Sequence, residues 1–290
     1  MSTLRPRTCR TEQGFGLIEL MITLVLTLVV LGGIMSSFFH TSNQADRLTR
    51  VADERQSART AIQLIEREIR MAGSGWGRIS VYGNDSSGAA DTLLAVSPGY
   101  GAGTGNDSLV LVGAWQTSTT ISSGMPNASS VLKVSSVNGF ADGDLFIITN
   151  GTSAHMMQVT GTNSASQIIQ HNPAASYNNP GGHNSTWPIG GYGPGSNIYK
   201  ITISSYYYDV SSFSKPALMR HEHGQAPQIL AYDVDGFRVW YELQDGTWTR
   251  NPPSLSVVDK VSPVVLTRVT DPRLPILRDS VWAAVQPRTF

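Results

Sequence analysis

The sequence predicts an α+β protein in which one long N-terminal helix packs on a C-terminal, antiparallel β-rich domain. No proline occurs between Pro6 and Pro98, which leaves room for one uninterrupted helix. Within that window, residues 15–39 carry no charge except Glu19. From Gly73 to Ser205, a few charged residues are scattered through a background rich in Ser, Thr, Asn and Gly, which is typical of turn-rich β structure.

Composition excludes several classes of function. The 21 basic and 21 acidic side chains balance, so the chain as a whole lacks the positive charge expected of a nucleic-acid-binding protein. Cys9 is the single cysteine, so neither an intramolecular disulfide nor a cysteine-built zinc or iron–sulfur site can form. A length of 290 residues is ample for a sizeable core.

The apolar segment of residues 15–39 is long enough to span a membrane. As a helix it would reach roughly 37 Å, against a hydrocarbon core of about 30 Å. Arg5, Arg7 and Arg10 precede it and favour a cytoplasmic N-terminus, with the chain after His40 outside. A secretory signal peptide is the alternative, but no small-residue cleavage site follows the apolar stretch, so cleavage before it fits better.

Glu19 needs a partner or a purpose, because a carboxylate in a spanning segment costs about 2.5 to 3.5 kcal/mol at the helix centre. Its surroundings, Gln13-Gly14-Phe15-Gly16-Leu17-Ile18-Glu19-Leu20-Met21, resemble the class III signal of type IV prepilins and pseudopilins. The alternative is that Glu19 reaches the membrane surface and serves no assembly role.

The resemblance implies processing and assembly. Residues 1–14 would be a leader, cut by a prepilin peptidase between Gly14 and Phe15 on the cytoplasmic side, and the new Phe15 amine would be N-methylated. Glu19 would neutralise the N-terminal ammonium of a neighbouring subunit, since an unpaired ion is costly in apolar surroundings. The sequence departs from the family at Gly16, usually Thr or Ser, and at Gly32-Gly33, where a kinking proline is usual.

The helix is predicted to continue to residue 72, which gives a helical segment of residues 15–72 with a transmembrane first half. Its stripe should pack on the protein's own β domain rather than form a coiled coil, and Gly73-Ser74-Gly75 should end it. The stripe positions are Leu48, Val51, Arg55, Ala58, Ile62, Ile65, Ile69 and Ala72. The predicted solvent face carries Asp46, Arg47, Arg50, Asp53, Glu54, Arg59, Glu66, Arg67, Glu68 and Arg70.

The stretch of residues 55–73 resembles the helix end of PilW-type minor pilins and of the related J-type pseudopilins of type II secretion. This resemblance implies a type IV pilin-like fold and a non-enzymatic subunit that helps prime pilus assembly at the filament tip, in support of twitching motility, adhesion or DNA uptake. It implies as partners the other minor pilins, the major pilin, the prepilin peptidase and the inner-membrane assembly platform. The protein would lie in the bacterial inner membrane before assembly and in the pilus afterwards.

Two alternatives remain open. One is a J-like pseudopilin of a type II secretion system. The other is a membrane-anchored binding or hydrolytic domain that never assembles.

Residues 73–290 are predicted to form the β-rich domain outside the membrane. Residues 139–148 and 216–220 resemble parts of PilW-like proteins, whereas residues 161–197 have the composition of an exposed loop. The predicted strands are 109–112, 131–134, 145–148, 156–159, 198–203, 228–230 and 237–243.

Groupings that could carry chemistry are weak. His221 and His223 share one face of a strand but have no third metal ligand, and Asp142-Gly143-Asp144 lacks the downstream acid of a calcium loop and fits a turn. The sequence therefore predicts no catalytic residue, no metal and no cofactor. An aromatic platform could form from Tyr206-Tyr207-Tyr208, Trp240 and Trp248, although strand aromatics usually serve core or edge packing.

Overall fold

A computed structural model gives the fold, and it describes residues 16–84, 89–101, 105–114, 118–178, 183, 185–211, 215–269 and 277–287. Cys9, Gly14 and Phe15 lie outside the described residues. The chain divides into two units, Met1–Ala52 and Asp53–Phe290.

Helix α1 spans Leu17–Met71 without interruption. At its start, the Gly16 carbonyl accepts the backbone N–H groups of Glu19 at 3.0 Å and Leu20 at 3.2 Å. At its end, Gly73 adopts a φ of 74°, a left-handed conformation that glycine accepts without strain, and its N–H bonds to the carbonyl of Val112. The predicted stop signal therefore ends the helix against a strand.

The second unit contains the β structure. Its strands are β1 Val81–Asn84, β2 Ala90–Leu93, β3 Val96–Gly99, β4 Ser108–Gly113, β5 Ser118–Ser123, β6 Leu132–Val134, β7 Leu145–Thr149, β8 Ala154–Gln158, β9 Gly161–Asn163, β10 Ile168–Gln170, β11 Asn197–Asp209, β12 Ala217–Glu222, β13 Gln228–Tyr232, β14 Val234–Leu243, β15 Trp248–Thr249, β16 Val258–Val269 and β17 Leu277–Trp282. Short 3₁₀ turns occupy Ser176–Asn178 and Leu255–Val257.

The strands form two sheets. The larger has the order β2-β1-β8-β7-β11-β5-β6-β10-β9, with β4 and β12 on the second half of β11, β3 beyond β4 and β13 beyond β12. The smaller has the order β15-β14-β16-β17. All pairings are antiparallel within the described part except β1 with β8. This arrangement confirms the predicted α+β class, and each of the seven predicted strands has a counterpart.

The helix segment from Ala58 to Ile69 packs in a core shared with both sheets. Ala58, Ile62, Ile65 and Ile69 are buried together with side chains of β4, β11, β14 and β16. This supports packing on the protein's own β domain over a coiled coil. The strand side of that core consists mainly of Leu109, Leu111, Tyr206, Leu218, Phe237, Val239, Tyr241, Val261 and Val265.

The helix prediction was wrong in two respects. Leu48, assigned to the buried stripe, is 70% exposed, and Arg55 is exposed and pairs with Asp279 at 2.8 Å. Conversely, Glu68 was assigned to the solvent face and is 3% exposed. A helical stripe indicates which side of the helix faces the core. It does not show at which residue the contact with the sheet begins, or which polar side chains of the sheet contact the helix.

The prediction of an exposed loop over residues 161–197 was wrong in part. The segment contains β9 and β10, and His183 and Tyr192 within it are buried. Gly191, at a φ of 76°, lies so close to Met125 that a Cβ there would approach the Met125 carbonyl oxygen to 2.2 Å. Some turn-forming residues in this stretch therefore allow close packing of the backbone. Composition alone does not distinguish such a packed segment from an exposed loop.

Candidate functional site

The first half of α1 presents an apolar surface. Every large hydrophobic side chain from Leu17 to Phe39 is exposed. In the part of the chain that the structure describes, α1 is the one helix long and apolar enough to cross a membrane, with a mean hydropathy of 2.5 over its best window. Such a surface is stable in lipid or against the matching helices of other subunits, and not in water.

Two threonine side chains in this segment are satisfied by the helix itself. The hydroxyl of Thr23 donates to the carbonyl oxygen of Leu20 at 2.9 Å, and that of Thr27 donates to the carbonyl oxygen of Thr23 at 2.6 Å. These bonds hide the hydroxyl groups from apolar surroundings. Glu19 is the charged residue of this segment, and its carboxylate needs a partner from outside the segment.

Glu19 lies in the first turn of α1, three residues after Gly16. A carboxylate there interacts favourably with the positive end of the helix dipole. This placement puts the charge at the very beginning of the apolar surface, next to the predicted new N-terminus at Phe15. Gly32 and Gly33 lie inside the continuous helix, and a Cβ at either would meet nothing within 4 Å.

The other candidate groupings belong to the second unit. His221 and His223 are exposed. Asp144 accepts the N–H of Ala141 at 2.7 Å and pairs with Lys200 at 2.7 Å, so it supports the turn as expected. Within the described residues, no group of three or more His, Cys, Asp or Glu side chains could hold a metal ion.

A buried ionic network behind the helix was missed by the sequence analysis. Glu68 accepts the Tyr206 hydroxyl at 2.5 Å and Arg220 Nη2 at 2.9 Å. Arg220 also pairs through Nη1 with Glu222 at 2.9 Å and donates to the Ser204 hydroxyl at 3.1 Å. Since Tyr206 and Arg220 are direct cross-strand neighbours on β11 and β12, one carboxylate fastens the helix to two strands.

The electrostatics of this network favour the charged pair. Burial, and next the Glu68 carboxylate, raises the pKa of Tyr206, so its hydroxyl keeps the proton that it donates. Burial is the largest single effect and would lower the pKa of Arg220, but Glu68 and Tyr206 together outweigh it and the pKa is raised. The position of Glu68, one residue before the buried Ile69, was a sequence signal that its side chain lies near the core. Its partners could not be found in the same way, because they lie far along the chain.

A second missed feature is a buried cluster of histidines and aromatic rings. His155 and His183 are fully buried, with ring centroids 5.6 Å apart, and the Trp187 ring lies 4.6 Å from that of His155. His155 Nδ1 lies 2.7 Å from the Tyr192 hydroxyl and Nε2 lies 3.0 Å from the Thr186 hydroxyl. The cluster holds His183, Trp187 and Tyr192 against His155 of β8.

Comparison with known proteins gives one family match. The Prokaryotic N-terminal methylation motif matches residues 9–35, a range that includes Gly14, Phe15 and Glu19. No curated protein and no solved structure matches the chain.

The match and the apolar helix agree with each other. Together they fit a protein that is anchored in the inner membrane and later enters a filament, as a structural subunit handled by prepilin peptidase and assembled with other pilins. The N-terminal signal and the apolar helix support a type IV pilin-like protein, of the pilin or pseudopilin type.

Proposed function

We propose that the protein is a minor pilin that helps prime type IV pilus assembly at the filament tip. The observation that carries the proposal is the conjunction of the methylation motif, a Glu19 carboxylate at the start of an exposed apolar helix, and a large β unit. A unit as large as Asp53–Phe290 is most easily accommodated at the tip, where no further subunit has to fit above it.

The proposed chemistry is charge neutralisation between subunits. Cleavage after Gly14 would create a Phe15 ammonium, methylated on nitrogen, that enters apolar surroundings together with the helix. The Glu19 carboxylate of a neighbouring subunit would neutralise it, because two opposite charges that pair in a low-dielectric medium avoid the cost of leaving either ion unpaired. The pair fixes the axial register of adjacent helices.

We expect Gly14→Leu to leave the leader of residues 1–14 attached. A bulky side chain next to the scissile bond would block entry into the peptidase site. Mass spectrometry of the membrane-extracted protein, with and without prepilin peptidase in the host, measures the result. Gly16→Ala is the matched control, since a Cβ there has open space around it. An unprocessed wild-type protein in a peptidase-positive host would contradict the proposed site.

We expect Glu19→Ala to be processed and inserted normally but to be depleted from filaments. Insertion should become easier by about 2 kcal/mol, because an ion is removed from an apolar segment. Assembly should lose about 3 to 5 kcal/mol, as when one member of a buried ion pair is removed. The measurement is the ratio of processed protein in sheared filaments to that in membranes.

Asp46→Ala is the control for this experiment, because it removes an exposed carboxylate of the same helix beyond the apolar segment. Filament entry unchanged by Glu19→Ala would show that Glu19 has no assembly role. Absence of the wild-type protein from the sheared fraction would favour a membrane-anchored domain that does not assemble. A secretion defect without a piliation defect in the deletion strain would favour the pseudopilin.

A further inference from the structure

The outer face of the smaller sheet carries three exposed tryptophans. Trp240 on β14 is 36% exposed, Trp248 on β15 is 41% exposed and Trp282 on β17 is 65% exposed. The sequence analysis favoured core or edge packing for Trp240 and Trp248; Trp248 does lie on the edge strand β15, but neither side chain is in the core. Inward-facing side chains of β14, such as Val239 and Tyr241, fill the core instead.

Strand register places the three side chains on one face in a diagonal row. Trp248 lies opposite Glu242, which is two residues after Trp240 on β14. On the other side, Trp282 lies opposite Val264 of β16. Val264 lies opposite Arg238, which is two residues before Trp240. With strands about 4.8 Å apart and a rise of about 3.4 Å per residue, the Cα atoms of Trp248 and Trp240 are about 8 Å apart, and those of Trp240 and Trp282 about 12 Å.

The tryptophans are separated by polar groups and do not form one apolar patch. Among the described residues, no ring contact joins any two of them. Between them lies the Glu242–Lys260 pair, whose charges neutralise each other at 2.6 Å, and Ser262 beneath the surface is 4% exposed. A partner protein is usually bound through a contiguous apolar centre, whereas spaced indole rings with hydrogen-bonding groups between them suit a chain of polar rings.

The charges at the Trp282 end define the ligand further. A groove of about 260 Å³ beside Trp282 is lined by Arg55, Arg59 and Asp279. Arg55 is paired with Asp279, but within the described residues no carboxylate lies within 4 Å of Arg59 or of Arg238. Arg238 donates through Nε to the carbonyl oxygen of Gly105 at 3.2 Å, but neither Arg238 nor Arg59 is in an ion pair within the described residues, so both guanidinium groups can attract carboxylates or sulfates.

We propose that this tryptophan face, formed by Trp248, Trp240, Trp282 and Arg238 and bordered at the β17 edge by Arg59 of α1, binds an acidic polysaccharide. The C–H faces of sugar rings are polarised by their oxygens and would stack on the negative faces of the indoles. Uronate or sulfate groups would pair with the arginines. The proposal is independent of the assembly role proposed for the first half of α1.

The test uses the full chain in non-ionic detergent and three polymers. Polygalacturonate is the acidic polysaccharide, dextran is the neutral one and polyglutamate is an acidic polymer without sugar rings. Titration calorimetry gives affinities, and indole fluorescence reports stacking. We expect polygalacturonate to bind more tightly than dextran or polyglutamate, with an affinity that falls as salt is added.

Substitutions on and off the face separate stacking from charge. We expect Trp240→Ala and Trp282→Ala each to weaken polygalacturonate binding about tenfold, equivalent to about 1.4 kcal/mol. Arg59→Gln should weaken binding of polygalacturonate and leave dextran unchanged. Tyr232→Ala, which removes a 53% exposed aromatic side chain on β13, is the control and should bind as wild type.

Three outcomes would overturn the proposal. They are no binding of polygalacturonate, equal affinity for polyglutamate, and wild-type affinity in both tryptophan variants. Equal affinity for polyglutamate would assign the face to an acidic protein partner.

Discussion

Glu68→Ala is expected to destabilise the second unit by about 3 to 5 kcal/mol. The substitution leaves Arg220, whose side chain is 13% exposed, without one of its two carboxylate partners, and it leaves the buried Tyr206 hydroxyl without its acceptor. Removing one partner of a buried ion pair costs more stability than replacing the whole pair by apolar residues, because the remaining charge stays desolvated and unpaired. Urea unfolding of the full chain in detergent, followed by circular dichroism of the β structure, measures the change.

Glu66→Ala is the matched control for this experiment. Glu66 lies on the same helix and pairs with Arg70 at 2.6 Å, but that pair is i,i+4, with Arg70 exposed and Glu66 half-buried, so we expect a loss of only about 0.3 to 0.5 kcal/mol. The double substitution Glu68→Leu with Arg220→Met should recover much of the stability that Glu68→Ala loses, since apolar side chains replace both ions. If Glu68→Ala and Glu66→Ala destabilise the protein equally, the network does not hold the helix on the sheet.

The second large effect is a loss of stability in mild acid caused by the buried histidines. Burial, with the nearby His183 as a smaller contribution, lowers the pKa of His155 from 6.5 to about 3. Burial also lowers the pKa of His171 and of His183. In the unfolded chain these imidazoles take up protons near pH 6.5, whereas the folded protein keeps them neutral. Stability is therefore complete above about pH 6.5 and falls as the pH drops towards 3.

The hydrogen bonds around His155 explain why protonation is resisted. The Thr186 hydroxyl donates to the His183 carbonyl at 3.3 Å, so it is free to accept the N–H of His155 Nε2. Nδ1 then accepts the Tyr192 hydroxyl, which burial keeps protonated by raising its pKa. A proton on Nδ1 would place two donors against each other.

For His155 alone we expect the free energy of unfolding to fall by about 2 to 3 kcal/mol between pH 6.5 and pH 4.5. Urea titrations at pH intervals across this window would measure the change. The window lies above the ordinary pKa values of Asp and Glu side chains. His155→Asn should flatten the pH dependence, although the variant is less stable at every pH. His221→Asn, at an exposed histidine, should retain the wild-type slope. Parallel slopes in wild type and His155→Asn would contradict the prediction.

The comparison of sequence with structure shows where linear patterns are sufficient. A run of apolar residues bounded by a basic block and containing Glu19 determines a membrane-spanning helix and a processing signal, because both depend on neighbours in the chain. The strand positions follow from alternation over a few residues, and the end of α1 at Gly73 follows from a local backbone conformation. These features need no knowledge of distant contacts.

Tertiary structure decided the features that depend on partners far along the chain. In sequence, Glu68 cannot be told from the exposed charged residues around it. It is buried because β11 and β12 place Tyr206 and Arg220, 138 and 152 residues further along the chain, next to it. Residues 161–197 have the composition of a loop, yet the fit of Gly191 against Met125 and the bonds of His155 hold part of the segment in the core. Trp240, Trp248 and Trp282 share a face because of strand register, which hydrogen bonding between strands sets and local sequence does not.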